Sequence, residues 1–451
     1  MKTLIIGAGP VGLGCAKALA EAAVDYVQVE ATDHVGGNWA HGVYTTAHII
    51  SSRKTTEYAD HPMPRHWPAF PSAKQMCTYY NDYADTYELR QRIRFETRVT
   101  AMRPLERGWE VDFEAADTER FAAVVICNGH HWKRVYPEWA ADFSGEVLHS
   151  KDYKRPEQLA GKRVLVVGGG NSGCDIAAEA ARVASSTDWS LRQGVHFLPK
   201  TLFGVPTVEL MRPWMPVGVQ RAMLKLLTRI TVGPYEGYGL PTPSHRLFEE
   251  HPTINTEIFR YLDHGKISVR PGVSSVDGDT VHFVDGASKA YDLVACGTGY
   301  AVSLPMLPEG MLEVRGKVAQ LIGGMLIPGQ RDVYVVGTTQ PRYGLGPLVT
   351  PAAQLLARWI RLQEDLDLPL VEVLQAMGQK PPHTHLVDPH QALRQIRLAR
   401  RTEPLIRRQA NQMLARRSSR SSQSLGRDLF EGHRPRTTGG SPLEFQPRPP
   451  A

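Results

Sequence analysis

The 451-residue chain is poor in cysteine: there are five, widely spaced and never paired as C-x-x-C. That excludes a disulfide-stapled scaffold and a dithiol redox centre, and it predicts reduced, mostly buried thiols at Cys15, Cys77, Cys127, Cys174 and Cys296. No apolar run approaches the roughly 20 residues that a membrane-crossing helix needs, so no membrane span is expected. The amino terminus enters a glycine-rich pattern at once, without a charged start and an apolar stretch, and a cytoplasmic protein is therefore expected. Net charge is also missing from most of the chain. From Arg401 to Ala451 ten arginines stand against four acids, which accounts for the whole formal charge of +6 and leaves residues 1–400 neutral. A neutral body offers nucleic acid no footing. The Arg/Ser/Pro-rich end 401–451, with ARRSSRSSQS and QPRPPA, is too polar to fold alone and is expected to be a mostly disordered, solvated tail.

What is present is ordinary globular composition, 42% apolar, enough for two or three domains with real cores. Two glycine patterns organise it. In TLIIGAGPVGLGCAKALAEAAVDYVQVE, Thr3 to Ile6 predict a strand, Gly7, Gly9 and Gly12 supply G-x-G-x-x-G, an alanine-rich helix follows, and Tyr26 to Val29 predict a second strand ending in Glu30. Gly7 permits the tight turn, Gly9 lets backbone approach a pyrophosphate, and Gly12 lets helix and strand pack closely. A carboxylate at Glu30 can accept hydrogen bonds from ribose hydroxyls.

The second pattern, GKRVLVVGGGNSGCDIAAEAARVASSTDWSLRQG, repeats the arrangement with a strand at Arg163 to Val167, glycines 168, 170 and 173, and a following strand at about Asp188 to Leu191. Ser172 can add a hydroxyl donor toward phosphate. After this strand stands Arg192, whose guanidinium suits a ribose 2′-phosphate, with a solvated strand-end residue as the alternative. Lys200 is a weaker second cation. The pair implies FAD first and NADPH second, hence a flavoprotein accepting hydride from a nicotinamide.

Between the two patterns lies FSGEVLHSKDYK, residues 143–154. Phe143, Gly145, His149, Tyr153 and Lys154 match F-x-G-x-x-x-H-x-x-x-[Y/F]-[K/R], and the chain thereby resembles the class B flavin-dependent monooxygenases. GGNW at 36–39, CNGHH at 127–131, GGGNSGCDIA at 168–177 and CGTGY at 296–300 look like further motifs of that family, in order. The resemblance implies an α/β fold of two Rossmann-like dinucleotide-binding domains, an FAD domain (1–155 and 290–400) with an NADP domain (156–289) inserted. DVYVVG and PAAQLLARW would close the FAD part. It also implies that NADPH reduces FAD, that dioxygen forms a 4a-hydroperoxyflavin, and that one oxygen passes to a soft nucleophile, an amine nitrogen or a sulfide sulfur of a small organic substrate. A homodimer is a further expectation, with 203–250 contributing to access or dimer contacts.

By the same resemblance FAD would meet Gly7, Ala8, Gly9, Pro10, Val11, Gly12 and Glu30, then Asn38 and Trp39 near the flavin end and Val99 at the adenine; Trp39 read alone could equally be core. NADPH would meet Gly168, Gly170, Asn171, Ser172, Gly173 and Arg192, and the CGTGY turn adds Thr298 and Gly299. One position departs from the family. Where N- and S-oxygenating members place an Asn after GG-x-W, TTAHIISSRK puts Ile50, which cannot donate a hydrogen bond. Either Ser51 or His48 supplies the contact, or the enzyme leaks hydrogen peroxide. His149 invites a general-base reading, but a linker histidine orienting the hinge or touching the nucleotide fits better. His383, His385, Asp388 and His390 in PPHTHLVDPH suggest a metal site only weakly, and none is expected. A Baeyer–Villiger enzyme would end the fingerprint in Trp before Pro or Asp. An indole-3-pyruvate-type oxygenase ends as this chain does, and a non-catalytic flavin- and NADPH-binding protein stays open.

Overall fold

The computed structural model describes the backbone of residues 1–212 and 214–431, and the side chains of residues 1–418 apart from Pro213 and Glu236. Two five-stranded parallel sheets carry the architecture. The first runs Val333–Val335, Ala123–Ile126, Thr3–Ile6, Tyr26–Val29, Ile93–Arg94 in spatial order. The second runs Ser268–Arg270, Ser186–Ser190, Arg163–Val167, Leu293–Cys296, Glu146–His149. Thr3–Ile6 and Ala123–Ile126 in the first and Leu293–Cys296 in the second are buried along their whole length, as parallel strands covered on both faces must be. The fold is thus α/β with two Rossmann-like sheets, as expected.

Each sheet carries a three-stranded antiparallel annex, inserted in sequence just before Ala123–Ile126 in the first and just before Leu293–Cys296 in the second. In the first it is Val99–Pro104, Trp109–Phe113, Glu119–Phe121; in the second it is Val273–Asp277, Thr280–Phe283, Ser288–Ala290. Trp109, Val111 and Phe113 point inward while Glu110 and Asp112 are only half-buried, the period-two signature of a sheet with one face on the core. Helix Pro10–Glu21 covers the first sheet and packs against Gly346–Asp365; Asn171–Val183 covers the second. Trp39 touches the cores of both units, so it is packing and junction at once.

Two expectations need correction. Boundaries at 155 and 289 assign Glu146–His149 and Leu293–Cys296 to the first unit, but both are strands of the second sheet, paired Leu293 with Glu146 and Val164. Each unit takes its fifth strand from outside its contiguous segment, and local sequence does not name a strand's partner. The tail also departs from disorder over its described part: Glu403–Glu431 is a helix whose Ile406 and Ala410 are fully buried. Arg407 pairs with Asp365 at 2.8 Å and Arg417 with Glu372 at 2.7 Å. Residues 432–451 lie outside the described residues. All five cysteines are free, Cys77 half-buried and the others buried. Among the described residues no helix is long and apolar enough to cross a membrane.

Candidate functional site

The two glycine turns have the same construction. Gly7 and Gly168 adopt φ of +101° and +111°, open to glycine and costly to other residues. A Cβ on Gly12 would lie 2.0 Å from the Gly7 carbonyl oxygen, and one on Gly173 would lie 2.2 Å from that of Gly168. Gly9 and Gly170 cap the helices that follow, both with φ −74° and neither with a side chain to accept a capping bond, so the first helical N–H groups stay open to a ligand. Gln28 Nε2 donates to the Gly7 carbonyl at 2.8 Å; Trp189 Nε1 donates to that of Gly168 at 3.0 Å. Gly36 N donates to Ala8 O at 2.9 Å, which folds GGNW back over the first turn. These cradles fit dinucleotide pyrophosphates, since any side chain at the turn glycines would fill them.

The strand ends differ. Glu30 Oε2 accepts from Ala8 N at 2.7 Å and Oε1 from Thr32 N at 3.0 Å, so the buried carboxylate is held at the turn. In the second unit the equivalent residue is Leu191, because Glu30 N bonds Arg94 O and Leu191 N bonds Arg270 O in matching positions. Arg192 follows, exposed and without a hydrogen bond or ion pair among the described residues. Asn171 does not face an open cradle with its carbonyl: Oδ1 accepts from Ile254 N at 2.8 Å. Ser172 lies at the Tyr44 hydroxyl, which donates to Asp175 at 2.6 Å. Val99 opens the antiparallel annex of the first unit, its side chain buried.

The fingerprint 143–154 straps the units together. Phe143 packs where a Cβ on Gly145 would strike its ring at 2.6 Å. Fully buried His149 has both ring nitrogens engaged: Nε2 with Gly299 O at 3.1 Å, and Nδ1 as acceptor from Lys151 N at 3.0 Å. Burial lowers its pKa, the imidazole is neutral, and neither nitrogen is left for a substrate proton. The general-base reading therefore gives way to a positioning role on the turn that holds Thr298, whose hydroxyl donates to Val135 O at 2.5 Å. Tyr153, fully buried, bonds Glu179 of the second unit's helix, and Lys154 Nζ donates to His41 O at 3.0 Å in the first. Lys151 Nζ donates to Asn38 Oδ1 at 2.5 Å; burial, with Lys154 and Arg134 nearby, lowers its pKa to about 8.

A cavity of about 230 Å³ lies at the seam. Val11 and Gly337 of the first unit face Val208, His251 and Ile254 of the second across it, with Ile50, Ser51, His130, His131, Thr339, Gln340 and Arg342 on the walls. Ile50 packs into an apolar cluster with Val208, Phe248 and Ile254, and Ser51 Oγ pairs with Thr56 Oγ1 at 2.7 Å. His48 is not on the wall. Its Nδ1 faces Thr46 O at 3.2 Å and its Nε2 contacts Lys200 Nζ, so both His48 and Lys200 are committed to the seam rather than to the roles expected of them. Of the metal-like cluster, Asp388 caps helix Pro389–Ala399 through His390 N and Gln391 N, and His383 is exposed.

Sequence reasoning missed most of the cavity. CNGHH was noted as a motif, but His130 and His131 were given no role, and His251 and Arg342 lie in segments without any pattern. Burial lowers the pKa of His251 to about 4 and that of His130 below its ordinary value; Nδ1 of each faces a carbonyl, Pro252 O at 2.8 Å and Gly337 O at 2.9 Å. His131 is the most open of the three, yet the protein packed around the cleft lowers its pKa too. All three are neutral near pH 7.

Residues 1–367 match the model of a family described as flavin-binding monooxygenase-like. The chain is 30% identical over 398 residues to flavin-containing monooxygenase 5 of Oryctolagus cuniculus, covering 80% of this chain and 73% of that one. It is also 30% identical over 322 residues to a probable indole-3-pyruvate monooxygenase of Arabidopsis thaliana, covering 67% and 75%. In structure it resembles OTEMO crystallised with FAD and NADP, at a TM-score of 0.69 and 17% identity over 89% of this chain and 98% of that one. The twin cradles, the linking fingerprint and the family match agree: this chain belongs to the flavin-binding monooxygenase-like family and is a flavin-dependent monooxygenase with FAD and NADPH as cofactors.

Proposed function

We propose that the cavity between the units is where a small organic molecule is oxygenated at a soft nucleophile, an amine nitrogen or a sulfide sulfur. The observation that carries this reading is the composition of the walls: one side comes from beside the first glycine turn and the other from the second unit, so a bound substrate is enclosed between the two cofactor cradles. When bound, FAD supplies the oxygen activation and NADPH the hydride. The chain's own residues bind, orient and exclude water. Gly7 to Gly12 would hold the FAD pyrophosphate and Glu30 its ribose, with Asn38 kept in place by Lys151. Gly168, Gly170 and Gly173 would hold the NADPH pyrophosphate and Arg192 the 2′-phosphate. His149 would fix the Thr298–Gly299 turn between them.

Ile50 supports a second feature. It presents an apolar wall where relatives of the N- and S-oxygenating type place an amide donor, and Ser51 beside it is the replacement polar group. A share of NADPH consumption is therefore expected to end as hydrogen peroxide. Exposed Phe203, Trp214, Leu226 and Ile230 support the homodimer expectation, with sedimentation as its test; a cytoplasmic location is the remaining expectation and fractionation its test. The function is tested by measuring NADPH consumption, oxygenated product and hydrogen peroxide together, with a thioether or tertiary amine present and absent. Substrate-dependent product is expected. NADPH consumed wholly to hydrogen peroxide with every soft nucleophile would overturn it.

A further inference from the structure

The cavity's charge is one-sided, and that bears on which soft nucleophiles enter it; the inference rests on the reading that substrate is oxygenated there. None of the described lining residues is Asp or Glu, and the one permanently charged side chain is Arg342. The three lining histidines are neutral. Arg342 is well buried, its side chain 12% exposed, and its backbone is pinned by Arg342 N donating to Val387 O at 3.0 Å. The guanidinium lies over the Phe248 ring at 5.2 Å. Phe248 holds a φ of 72°, a conformation costly for so large a residue, to place that ring.

Arg342 is incompletely neutralised. Its ion pair is a single long contact, Nη1 to Asp388 Oδ2 at 3.4 Å, while the other oxygen of Asp388 accepts from His390 N at 2.9 Å and Gln391 N at 3.2 Å. Its Nε is buried without an acceptor. That buried Nε is out of a ligand's reach, so a carboxylate in the cavity would be met by the Nη groups, whose planar fork it matches better than any neutral group does. The rest of the lining includes the apolar side chains of Val11, Ile50, Val208, Ile254 and Leu345. A protonated amine would meet a positive site with no acid to balance it.

We propose that Arg342 is the anion anchor of this cavity and that the substrate oxygenated there carries a carboxylate together with its oxidisable sulfur or nitrogen. The reaction keeps its ordinary balance: one atom of dioxygen forms the new S–O or N–O bond, and the other leaves as water with two electrons from NADPH and a proton. Arg342 takes no part in that exchange; it selects and orients.

The test compares 3-(methylthio)propanoate with its methyl ester on the flavin-loaded full chain, by thermal shift and by steady-state kinetics. The acid is expected to raise Tm where the ester does not, and to show at least about a tenfold advantage in kcat/KM, the worth of one charge-assisted contact. Arg342→Met should abolish both advantages, lowering kcat/KM for the acid at least about tenfold more than for the ester and doing so through KM, and keep the visible flavin spectrum; Arg342→Lys should restore part of the preference. Wild-type protein that treats acid and ester alike in both readouts overturns the anchor without any variant, and so does an Arg342→Met protein that loses both probes equally. An acid-specific shift with neither probe oxygenated would support the anchor and overturn the oxygenation reading instead.

Discussion

The two nucleotide units are one architecture used twice, and their differences are confined to a few positions. Around the glycine strand both order four strands alike, with a three-stranded annex inserted before the last of those four in sequence, and both pin the first turn carbonyl with a side chain 21 residues on, Gln28 in one and Trp189 in the other. The Cys127 carbonyl closes against Gly7 just as the Gly297 carbonyl closes against Gly168. What differs is the end of the second strand: a held, buried carboxylate at Glu30, against Leu191 followed by the free guanidinium of Arg192. The shared backbone makes a pyrophosphate cradle, and on the proposed function the strand end would distinguish the riboses. A second contrast concerns the fifth strand, which the first sheet takes from Val333–Val335 far downstream and the second from Glu146–His149 just upstream.

The largest effect is expected from breaking the first cradle. Gly12→Val puts a side chain where a Cβ alone would be 2.0 Å from Gly7 O, so the turn must open; the purified protein should be colourless and melt several degrees lower, about 1 kcal/mol or more of stability. The corresponding Gly173→Ala should separate the units: the protein stays yellow, while KM for NADPH rises at least about tenfold. Next comes specificity. Arg192→Ala should reduce the preference for NADPH over NADH by about 10- to 100-fold, as expected for loss of a charge-assisted bond worth roughly 1.5–3 kcal/mol. Adding Leu191→Glu, which copies Glu30, should move the preference further toward NADH, read as kcat/KM for each nucleotide.

The smallest effect concerns the strap. Lys151 has a folded pKa of about 8 against 10.5 unfolded. Between those values the unfolded chain binds more protons at this site, so its contribution makes stability rise with pH across that window. Lys151→Met should remove that increment, seen as a flatter dependence of Tm on pH than in the wild type.

The comparison also shows what local sequence can and cannot carry. Strands Thr3–Ile6, Tyr26–Val29 and Arg163–Val167 were legible because an apolar run meets a glycine spacing with a fixed geometric purpose. CGTGY lies in the span 290–400 that the resemblance assigns to the FAD part, yet its strand stands in the second sheet where CNGHH stands in the first; pairing is a long-range choice that the segment itself does not contain. Arginine-rich composition likewise hid Ile406 and Ala410, which become core only because Gly346–Asp365 and Leu370–Ala376 are there to receive them. The cradles were legible for the same reason as the strands. The cavity was not, because Ile50, His130, His251 and Arg342 meet only after both units fold. His149 was legible as a fixed position, and its role became clear only from the two bonds its ring makes.

The most direct test of the paired-cradle account is anaerobic mixing of the purified, flavin-loaded protein with NADPH or NADH while the visible flavin band is followed. The account predicts rapid bleaching by NADPH, much slower bleaching by NADH at equal concentration, and loss of that difference in Arg192→Ala. Equal rates with both nucleotides in the wild type, or no bleaching by either, would contradict it.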